Sequence, residues 1–206
     1  DQTILNDMTQ FTMAGWLKIN SAGNREGFFG QNNVIEVGWQ NAQTMWTWTS
    51  GGGQVFWDID NSFSFGQWHH FVTVGSGSNI KIYIDGDLKA TNGTNTSNYG
   101  STNYNFNIGG GGIFDAGGNW FDGKIFEVAV WDIALSDQDI NNLFNNNNSV
   151  LNVVNQENLV GYWDFNDGVG TTLTDLSGNG TNGTIHGAIW DTDAPAFINN
   201  DNIRSD

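Results

Sequence analysis

Short stretches in which apolar and polar residues alternate follow one another along most of the chain. In a β-strand successive side chains point to opposite faces of the sheet, so this alternation predicts strands with one buried face. We predict ten strands, separated by clusters of Gly, Asn or Asp: 11–19, 27–30, 34–39, 44–49, 54–59, 68–74, 80–84, 105–108, 123–131 and 160–165. Short strands divided at such regular intervals indicate a β-sandwich or a β-barrel.

The clearest predicted hairpin lies near the middle of the chain. Residues 80–84 alternate isoleucine with Lys81 and Tyr83, Asp85-Gly86 follows, and a second alternating run begins at Leu88. Because Asp and Gly both tolerate a positive φ, an Asp-Gly pair between two such runs predicts a tight turn that joins antiparallel strands.

Only one segment has the pattern of a helix. Ile140, Leu143 and Phe144 form an apolar stripe at helical spacing within residues 137–145. Ser136 is suited to cap the first turn, and Asp139 three residues later can complete a reciprocal capping arrangement. We therefore predict a short capped helix that lies across the edge of the sandwich and packs there.

The composition is that of one all-β domain. The chain has 206 residues with 28 Gly and one Pro, and the absence of Cys excludes thiol chemistry and cysteine-ligated zinc. We expect the domain to occupy residues 1–192, and we expect 193–206, which end in an Asn-rich segment, to form a linker or tail. Because the chain starts at Asp1 without an initiating Met, we expect a piece of a longer or processed protein.

The charge is strongly negative and excludes some partners. The chain has 22 Asp and Glu against 6 Lys and Arg, a formal net charge of −16. Such a surface repels nucleic acid and anionic lipid, and it suits cation binding and a salty exterior. No apolar run approaches the roughly 20 residues that a membrane-spanning helix needs, so we predict no membrane insertion.

Four blocks of sequence follow one another along the chain: FTMAGWLK at 11–18, GQWHHFVTV with IKIYIDG at 66–86, FDGKI followed by EV and ALS at 121–136, and GYWDFN with DLSGNG at 161–180. In this order they resemble the laminin-G-like domains of the concanavalin A-like lectin/glucanase superfamily. The resemblance implies an all-β fold, a two-sheet antiparallel jelly-roll sandwich of the concanavalin A-like kind with one short helix. The last block is common in exported bacterial multidomain proteins, which implies a secreted or cell-surface location.

The DLSGNG segment is the predicted metal site. Asp175, Ser177 and Asn179 place oxygen atoms at alternate positions before Gly180, a spacing by which a tight loop can wrap calcium. The carbonyl of Gly178 and the carboxylate of Glu127 are the further candidate ligands, and the resemblance favours calcium as the cofactor in this region. The alternative is a turn capped by its own Asp side chain.

Aromatic residues are the predicted glycan contacts. Ten Trp is more than ordinary usage, and Trp16, Trp68 and Trp163 coincide with core positions of the family. Five others are candidates to stack on the apolar face of a sugar ring: Trp39, Trp46, Trp48, Trp57 and Trp120. Amide side chains nearby could bond hydroxyl groups: Gln31, Asn32, Asn33, Gln40, Asn41 and Gln43. The alternative for each Trp is a place in the sandwich interior.

The residues predict no enzyme. Glycosidases of the superfamily need two glutamates around an aspartate on one strand, and no two Glu of this chain lie within eight residues of each other. His69 and His70 are adjacent and should point to opposite faces of their strand. We therefore predict a non-catalytic, calcium-stabilised, lectin-like module that binds a polysaccharide or glycan and belongs to a larger exported bacterial protein. The alternatives are a protein- or peptide-binding adhesin domain and a structural spacer.

Overall fold

Two antiparallel sheets pack face to face in the computed structural model, which describes residues 2–110, 113–114, 119–145, 150–152 and 156–196. The six-stranded sheet has the order β11-β10-β1-β6-β7-β8, and the five-stranded sheet has the order β5-β4-β3-β2-β9. The strands are β1 Phe11–Ile19, β2 Gly27–Gln31, β3 Ile35–Asn41, β4 Thr44–Thr49, β5 Gly53–Asp58, β6 Trp68–Gly75, β7 Ile80–Ile84, β8 Asp87–Asn92, β9 Phe106–Ile108, β10 Gly123–Trp131 and β11 Leu159–Trp163. The two-sheet jelly-roll sandwich that the family resemblance implied is confirmed.

Helix α1 spans Asp137–Asn145 and carries the predicted cap. The Ser136 backbone nitrogen donates to the Asp139 carboxylate (3.1 Å), and the Asp139 nitrogen donates back to Ser136 Oγ (3.2 Å). Ile140 and Leu143 are buried against the outer side of the six-stranded sheet. Within the described ranges, this helix and two three-residue 3-10 turns are all too short to cross a membrane.

The Asp85-Gly86 turn has the predicted geometry. Asp85 has φ of 53° and Gly86 has φ of 82°, and β7 and β8 pair in antiparallel register on either side. The Asp85 carboxylate also accepts hydrogen bonds from His69 Nδ1 (2.6 Å) and from the His70 backbone nitrogen (2.8 Å), so the turn is tied to the neighbouring β6.

His69 and His70 point to opposite faces of β6, as predicted. His69 stacks on Phe63 at a centroid distance of 4.5 Å, within the aromatic cluster between the sheets. His70 lies on the outer face between Trp16 (5.0 Å) and Phe144 (6.3 Å).

The end of the domain differs from the prediction. The predicted strand 160–165 ends at Trp163, and Phe165 two residues later has φ of 61°, outside the β region. A two-stranded sheet follows, β12 Thr172–Leu173 paired with β13 Gly183–Thr184, which the pattern did not predict. Packed chain also continues past residue 192, since Asp193 pairs with Lys18 on β1 (2.8 Å). Residues 197–206 of the predicted tail lie outside the described residues.

Candidate functional site

An aromatic and polar surface covers the outer side of the five-stranded sheet at its β4–β5 edge. Its strands pair in antiparallel register, with Trp46 opposite Phe56 and Trp48 opposite Gln54. Directly opposed residues point to the same face of a sheet, as do residues two apart on one strand. We call this surface the β4–β5 face, and it consists of Trp46, Trp48, Gln54, Phe56 and Asp58.

The position of Thr47 shows that the β4–β5 face points away from the sandwich interior. Thr47 lies between the two Trp residues on β4, and its hydroxyl bonds that of Thr73 on the opposing sheet (3.0 Å). Met45 on the same side of β4 is buried in the core. Because successive side chains alternate, Trp46 and Trp48 must project outward.

Trp46 is covered by its own chain. Its indole ring is stacked on Phe56 (6.0 Å between centroids, 10° between planes) and on Phe114 (5.6 Å, 2°). The Arg25 guanidinium lies over both Trp46 (5.6 Å) and Phe114 (5.1 Å). Trp46 is therefore only 8% exposed, and it supports its neighbours without offering a free ring face to a ligand.

Glycines beneath Phe114 and Ile113 make this covering possible. A Cβ at Gly38 would collide with the Glu26 carbonyl oxygen and lie 2.8 Å from Phe114, and one at Gly27 would lie 2.6 Å from Ile113. Because Gly38 and Gly27 have no side chains, Phe114 and Ile113 can pack directly against the backbone of the sheet. Residues 111–112 and 115–118 of the Gly-rich segment between β9 and β10 lie outside the described residues.

Accessible groups of the β4–β5 face lie on either side of Trp46. The Phe56 ring is 40% exposed, and Trp48 is half-buried beside the exposed Gln54. Gln54 Oε1 accepts a hydrogen bond from Trp46 Nε1 (3.2 Å), and Asp58 accepts one from Thr44 (2.6 Å), so both polar side chains are held in place. Aromatic faces flanked by oriented amide and carboxylate groups can stack on a sugar ring and bond its hydroxyls.

Trp39 and Trp57 were wrong as ligand-contacting candidates, because both are interior. Trp39 is fully buried and lies edge-to-face with Phe28 (5.8 Å) and Phe63 (6.1 Å). Trp57 is 7% exposed, belongs to the same core cluster and also contacts Phe63 (6.1 Å). Trp120 is 61% exposed, on the segment that leads into β10 and apart from the residues that define the β4–β5 face.

The amide residues predicted beside the Trp residues divide into two groups. Gln31 is buried, where it accepts a hydrogen bond from the Leu5 nitrogen (3.0 Å) and donates one to Asn6 (2.6 Å), so its role is structural. Asn32 is also buried, whereas Asn33 is exposed. Asn41 and Gln43 are exposed at the β3–β4 turn, and Gln40 beside them is half-buried.

The sequence patterns did not single out Gln54, Phe56 and Asp58 of the β4–β5 face, nor Arg25 and Phe114, which cover Trp46. A signal for the first two exists: within the predicted strand 54–59, Val55 and Trp57 alternate with Gln54 and Phe56, which assigns the latter pair to one face. Arg25 and Phe114 come from loops, and no periodicity relates a loop to a strand.

The predicted calcium loop is satisfied by its own hydrogen bonds. The Asp175 carboxylate accepts four of them: Tyr162 N (3.1 Å) and Ser177 N (2.9 Å) on one oxygen, and Ser177 Oγ (2.9 Å) and Thr181 N (2.8 Å) on the other. A carboxylate has about four lone-pair positions, so these donors occupy it. Asn179 turns its amide nitrogen toward the Leu159 carbonyl on β11 (2.7 Å). Gly178 has φ of 88° in this turn.

The two predicted acidic ligands do not converge. Glu127 accepts a hydrogen bond from the Tyr162 hydroxyl (2.9 Å), whereas Asp175 contacts the Tyr162 backbone nitrogen, so the carboxylates lie at opposite ends of one residue. Within the ranges that the structure describes, no three His, Asp or Glu side chains form a metal-binding group. These contacts do not fit calcium on the predicted ligands and favour the alternative of a self-capped turn.

The two carboxyl groups also differ in their electrostatics. Burial alone would raise the pKa of Asp175, but the hydrogen bonds from Ser177, Thr181 and Tyr162 together hold it below its usual value. At Glu127 burial dominates and raises the pKa to about 7; the Tyr162 hydroxyl opposes the increase and the Asp164 carboxylate adds to it.

Comparison with known proteins gives the class of the fold. A family model described as the concanavalin A-like lectin/glucanases superfamily matches residues 1–141. A candidate carbohydrate-binding protein from Bacteroides ovatus superposes with a TM-score of 0.66 at 18% identity, over 89% of this chain and 56% of its own length. Domain 4 of an extracellular arabinanase from Geobacillus stearothermophilus, solved with arabinotriose, superposes with a TM-score of 0.51 at 22% identity, over 69% of each chain. No curated protein sequence matches the chain significantly.

Proposed function

Because the chain belongs to the concanavalin A-like lectin/glucanases superfamily, we propose that it is a non-catalytic, lectin-like module that binds a polysaccharide through the β4–β5 face. We further propose that it is part of a larger exported bacterial protein, at the cell surface or secreted. A fold of this kind serves many functions, so the argument for binding rests on the site.

The observation that carries the proposal is the outward row of aromatic side chains on β4 and β5. Phe56 lies on the outer face and not in the core, with 40% of its surface exposed, and Trp48 is half-buried beside Gln54. The stacked Trp46 fixes the Phe56 ring, so little conformational entropy remains to be lost when a sugar stacks on it. The B. ovatus protein and the arabinanase domain bound to arabinotriose support a carbohydrate as the ligand class.

The positions of the acidic side chains on the five-stranded sheet support a non-catalytic role. Glycosidases place their two carboxyl groups about 5 to 9.5 Å apart. Glu36 on β3 lies level with Trp48 and Gln54, whereas Asp58 is four residues further along β5. With strands spaced about 4.8 Å and residues rising about 3.4 Å, the two carboxylates are separated by on the order of 16 Å.

Alanine replacement of the exposed rings should weaken glycan binding while leaving the fold intact. We expect Trp48→Ala and Phe56→Ala each to weaken binding at least about tenfold, because each removes an aromatic contact at the centre of the face. Isothermal titration against a panel of soluble polysaccharides that includes arabinan measures the effect, after a glycan array has identified the ligand.

Trp120→Ala is the matched control, since it removes an equally large exposed ring away from the β4–β5 face. Its affinity should equal that of the unmodified protein. Loss of binding in Trp120→Ala with retention in the other two variants would place the site elsewhere. If the protein binds no glycan on the array but binds a protein ligand, the alternative of a protein- or peptide-binding adhesin domain is favoured.

Calcium remains a prediction from sequence, and the contacts of Asp175 lead us to expect no dependence on it. The melting temperature should be the same in EDTA and in millimolar calcium, because a cation that binds only the folded state would raise it with concentration. A calorimetric scan in both buffers, with magnesium as the control cation, measures this. A midpoint that rises with calcium alone would restore the metal site.

A further inference from the structure

The charges around the β4–β5 face indicate the class of glycan. Resting on the proposed function, we propose that this face selects uncharged polysaccharides and rejects those that carry carboxylate or sulfate groups. The inference depends on where the few cations of the chain lie, and on which charges border the face.

Every lysine of the chain is already paired with an aspartate. Lys18 pairs with Asp193 (2.8 Å) and Lys81 with Asp137 (3.1 Å). The other two follow the same rule: Lys89 pairs with Asp87 (3.7 Å), and Lys124 pairs with Asp191 (2.9 Å) and Asp193 (3.0 Å). Lys18, Lys81 and Lys124 are on strands of the six-stranded sheet other than its edge strand β8, so their ammonium groups do not border the β4–β5 face. Lys89, on β8, lies over the Trp57 ring (5.9 Å) on the inner side of β5 and donates a hydrogen bond to Ser62 (3.1 Å).

Arg25 reaches the β4–β5 face itself and lies over the Trp46 ring. The Arg25 guanidinium lies over Trp46 and Phe114, where it adds to the stacked column. Arg204, the sixth basic residue, lies outside the described residues.

The groups that border the accessible rings are acidic. Asp58 is exposed on the β4–β5 face itself, and Asp60 follows it in the next turn with its pKa held below the usual value by hydrogen bonds from Ser62. Glu36 lies on the same side of β3, opposite Trp48. An anionic glycan laid across Phe56 would place its charges within a Debye length, about 8 Å, of the Asp58 carboxylate, which lies two residues further along the same face of β5.

The long-range field acts in the same direction. A net charge of −16 on 206 residues repels an anionic polymer before contact, and a polyanion offers many charges to the field at once. Hydroxyl groups suffer no such penalty, and Gln54 and Asp58 can accept hydrogen bonds from them.

A pair of glycans that differ only in charge provides the test. The best neutral ligand from the array is compared with the same polysaccharide after oxidation of its primary hydroxyls to carboxylates, by titration at 20 mM and at 500 mM NaCl. We expect the oxidised polymer to bind at least about tenfold more weakly at low salt, and the gap to narrow at high salt as the charges are screened.

Two variants assign the effect to its source. Asp58→Asn should reduce the ratio of neutral to oxidised affinity by about threefold, because it removes the exposed carboxylate on the face. Glu157→Gln changes the net charge equally but lies in the 3-10 turn before β11, on the other sheet, and should leave the ratio unchanged.

The outcomes separate this inference from the proposed function. Equal or tighter binding of the oxidised polymer overturns the charge selectivity while the face stands as a glycan site. Failure of both polymers to bind overturns the proposed function itself.

Discussion

Replacing Glu127 by glutamine should raise the free energy of unfolding by about 3 kcal/mol at pH 8 and leave it nearly unchanged at pH 4. Burial raises the pKa of Glu127 from 4.5 to about 7, and every tenfold change in proton affinity between the unfolded and folded states corresponds to about 1.4 kcal/mol. Glutamine keeps the acceptor for the Tyr162 hydroxyl but has no charge to desolvate. The expected gain is larger than that of most surface substitutions.

Proton linkage explains why the Glu127→Gln variant gains stability only at high pH. A carboxyl group whose folded pKa is above its unfolded value stabilises the protein fully below pH 4.5, and this stabilisation is lost as the pH rises from 4.5 through 7. Below pH 4.5 the glutamate is protonated in both states and resembles glutamine. Above pH 7 it is ionised in the folded state, where the buried charge costs the most.

His70 makes the free energy of unfolding change with pH in the opposite direction, so its contribution must be separated from that of Glu127. Burial lowers the pKa of His70 from 6.5 to about 4, with the Asp85 carboxylate opposing, so its contribution is present above pH 6.5 and is lost as the pH falls through 4. The two slopes offset one another between pH 4.5 and 6.5 in the unmodified protein. The difference between variant and unmodified protein at each pH cancels the His70 contribution.

Urea unfolding at pH 4, 6 and 8 measures the Glu127 prediction, with Glu157→Gln as the exposed control that should change stability little at any pH. A Glu127→Gln variant that is no more stable at pH 8 than at pH 4, relative to the unmodified protein, would show that Glu127 carries a stabilising partner at neutral pH. A cation on this carboxylate is one such partner, and repeating the pH 8 measurement in EDTA identifies it.

Trp39→Ala should lower the free energy of unfolding by about 3 to 5 kcal/mol. Trp39 is fully buried where Phe28, Phe63 and Phe65 meet it, at centroid distances of 5.8 to 6.1 Å, so its removal leaves a cavity between the sheets. In a domain of marginal stability this loss can unfold a substantial fraction of the protein at 37 °C.

Trp48→Ala is the comparison that separates core from surface. It removes the same side chain from the neighbouring strand of the same sheet, but from the outer face, so it should cost much less stability and should reduce glycan affinity instead. Trp39→Phe retains part of the volume and should fall between the two in stability. A Trp39→Ala variant that has the same melting temperature as the unmodified protein but loses glycan binding would contradict the placement of Trp39 in the core.

Parity along each strand could have separated these residues from sequence alone. Trp39 has the same parity as Ile35 and Val37, two apolar residues, which assigns it to the buried side of β3. Trp46 and Trp48 are two residues apart and therefore share one face of β4, but Met45 and Thr47 on the other face do not show by their residue types which face is buried. The hydrogen bond between Thr47 and Thr73 shows which face of β4 is buried, and it joins strands of different sheets.

The predicted calcium loop is a segment whose local sequence is compatible with two different structures. The spacing of Asp175, Ser177 and Asn179 is compatible with a metal loop and with a self-capped turn, because both need side-chain oxygens at alternate positions and glycines with positive φ. Which one forms depends on what the loop packs against. Here β11 supplies the Tyr162 nitrogen to Asp175, and the Leu159 carbonyl accepts from the Asn179 amide.

Local chemistry therefore determined the strands, the Asp85-Gly86 turn and the capped helix of this protein, because alternation, positive φ and capping each depend on residues close together in the chain. Tertiary structure decided which face of the five-stranded sheet is exposed, that Phe114 and Arg25 cover Trp46, and that Glu127 is buried apart from Asp175. Those features depend on contacts between distant segments, and no local pattern records which segments will meet.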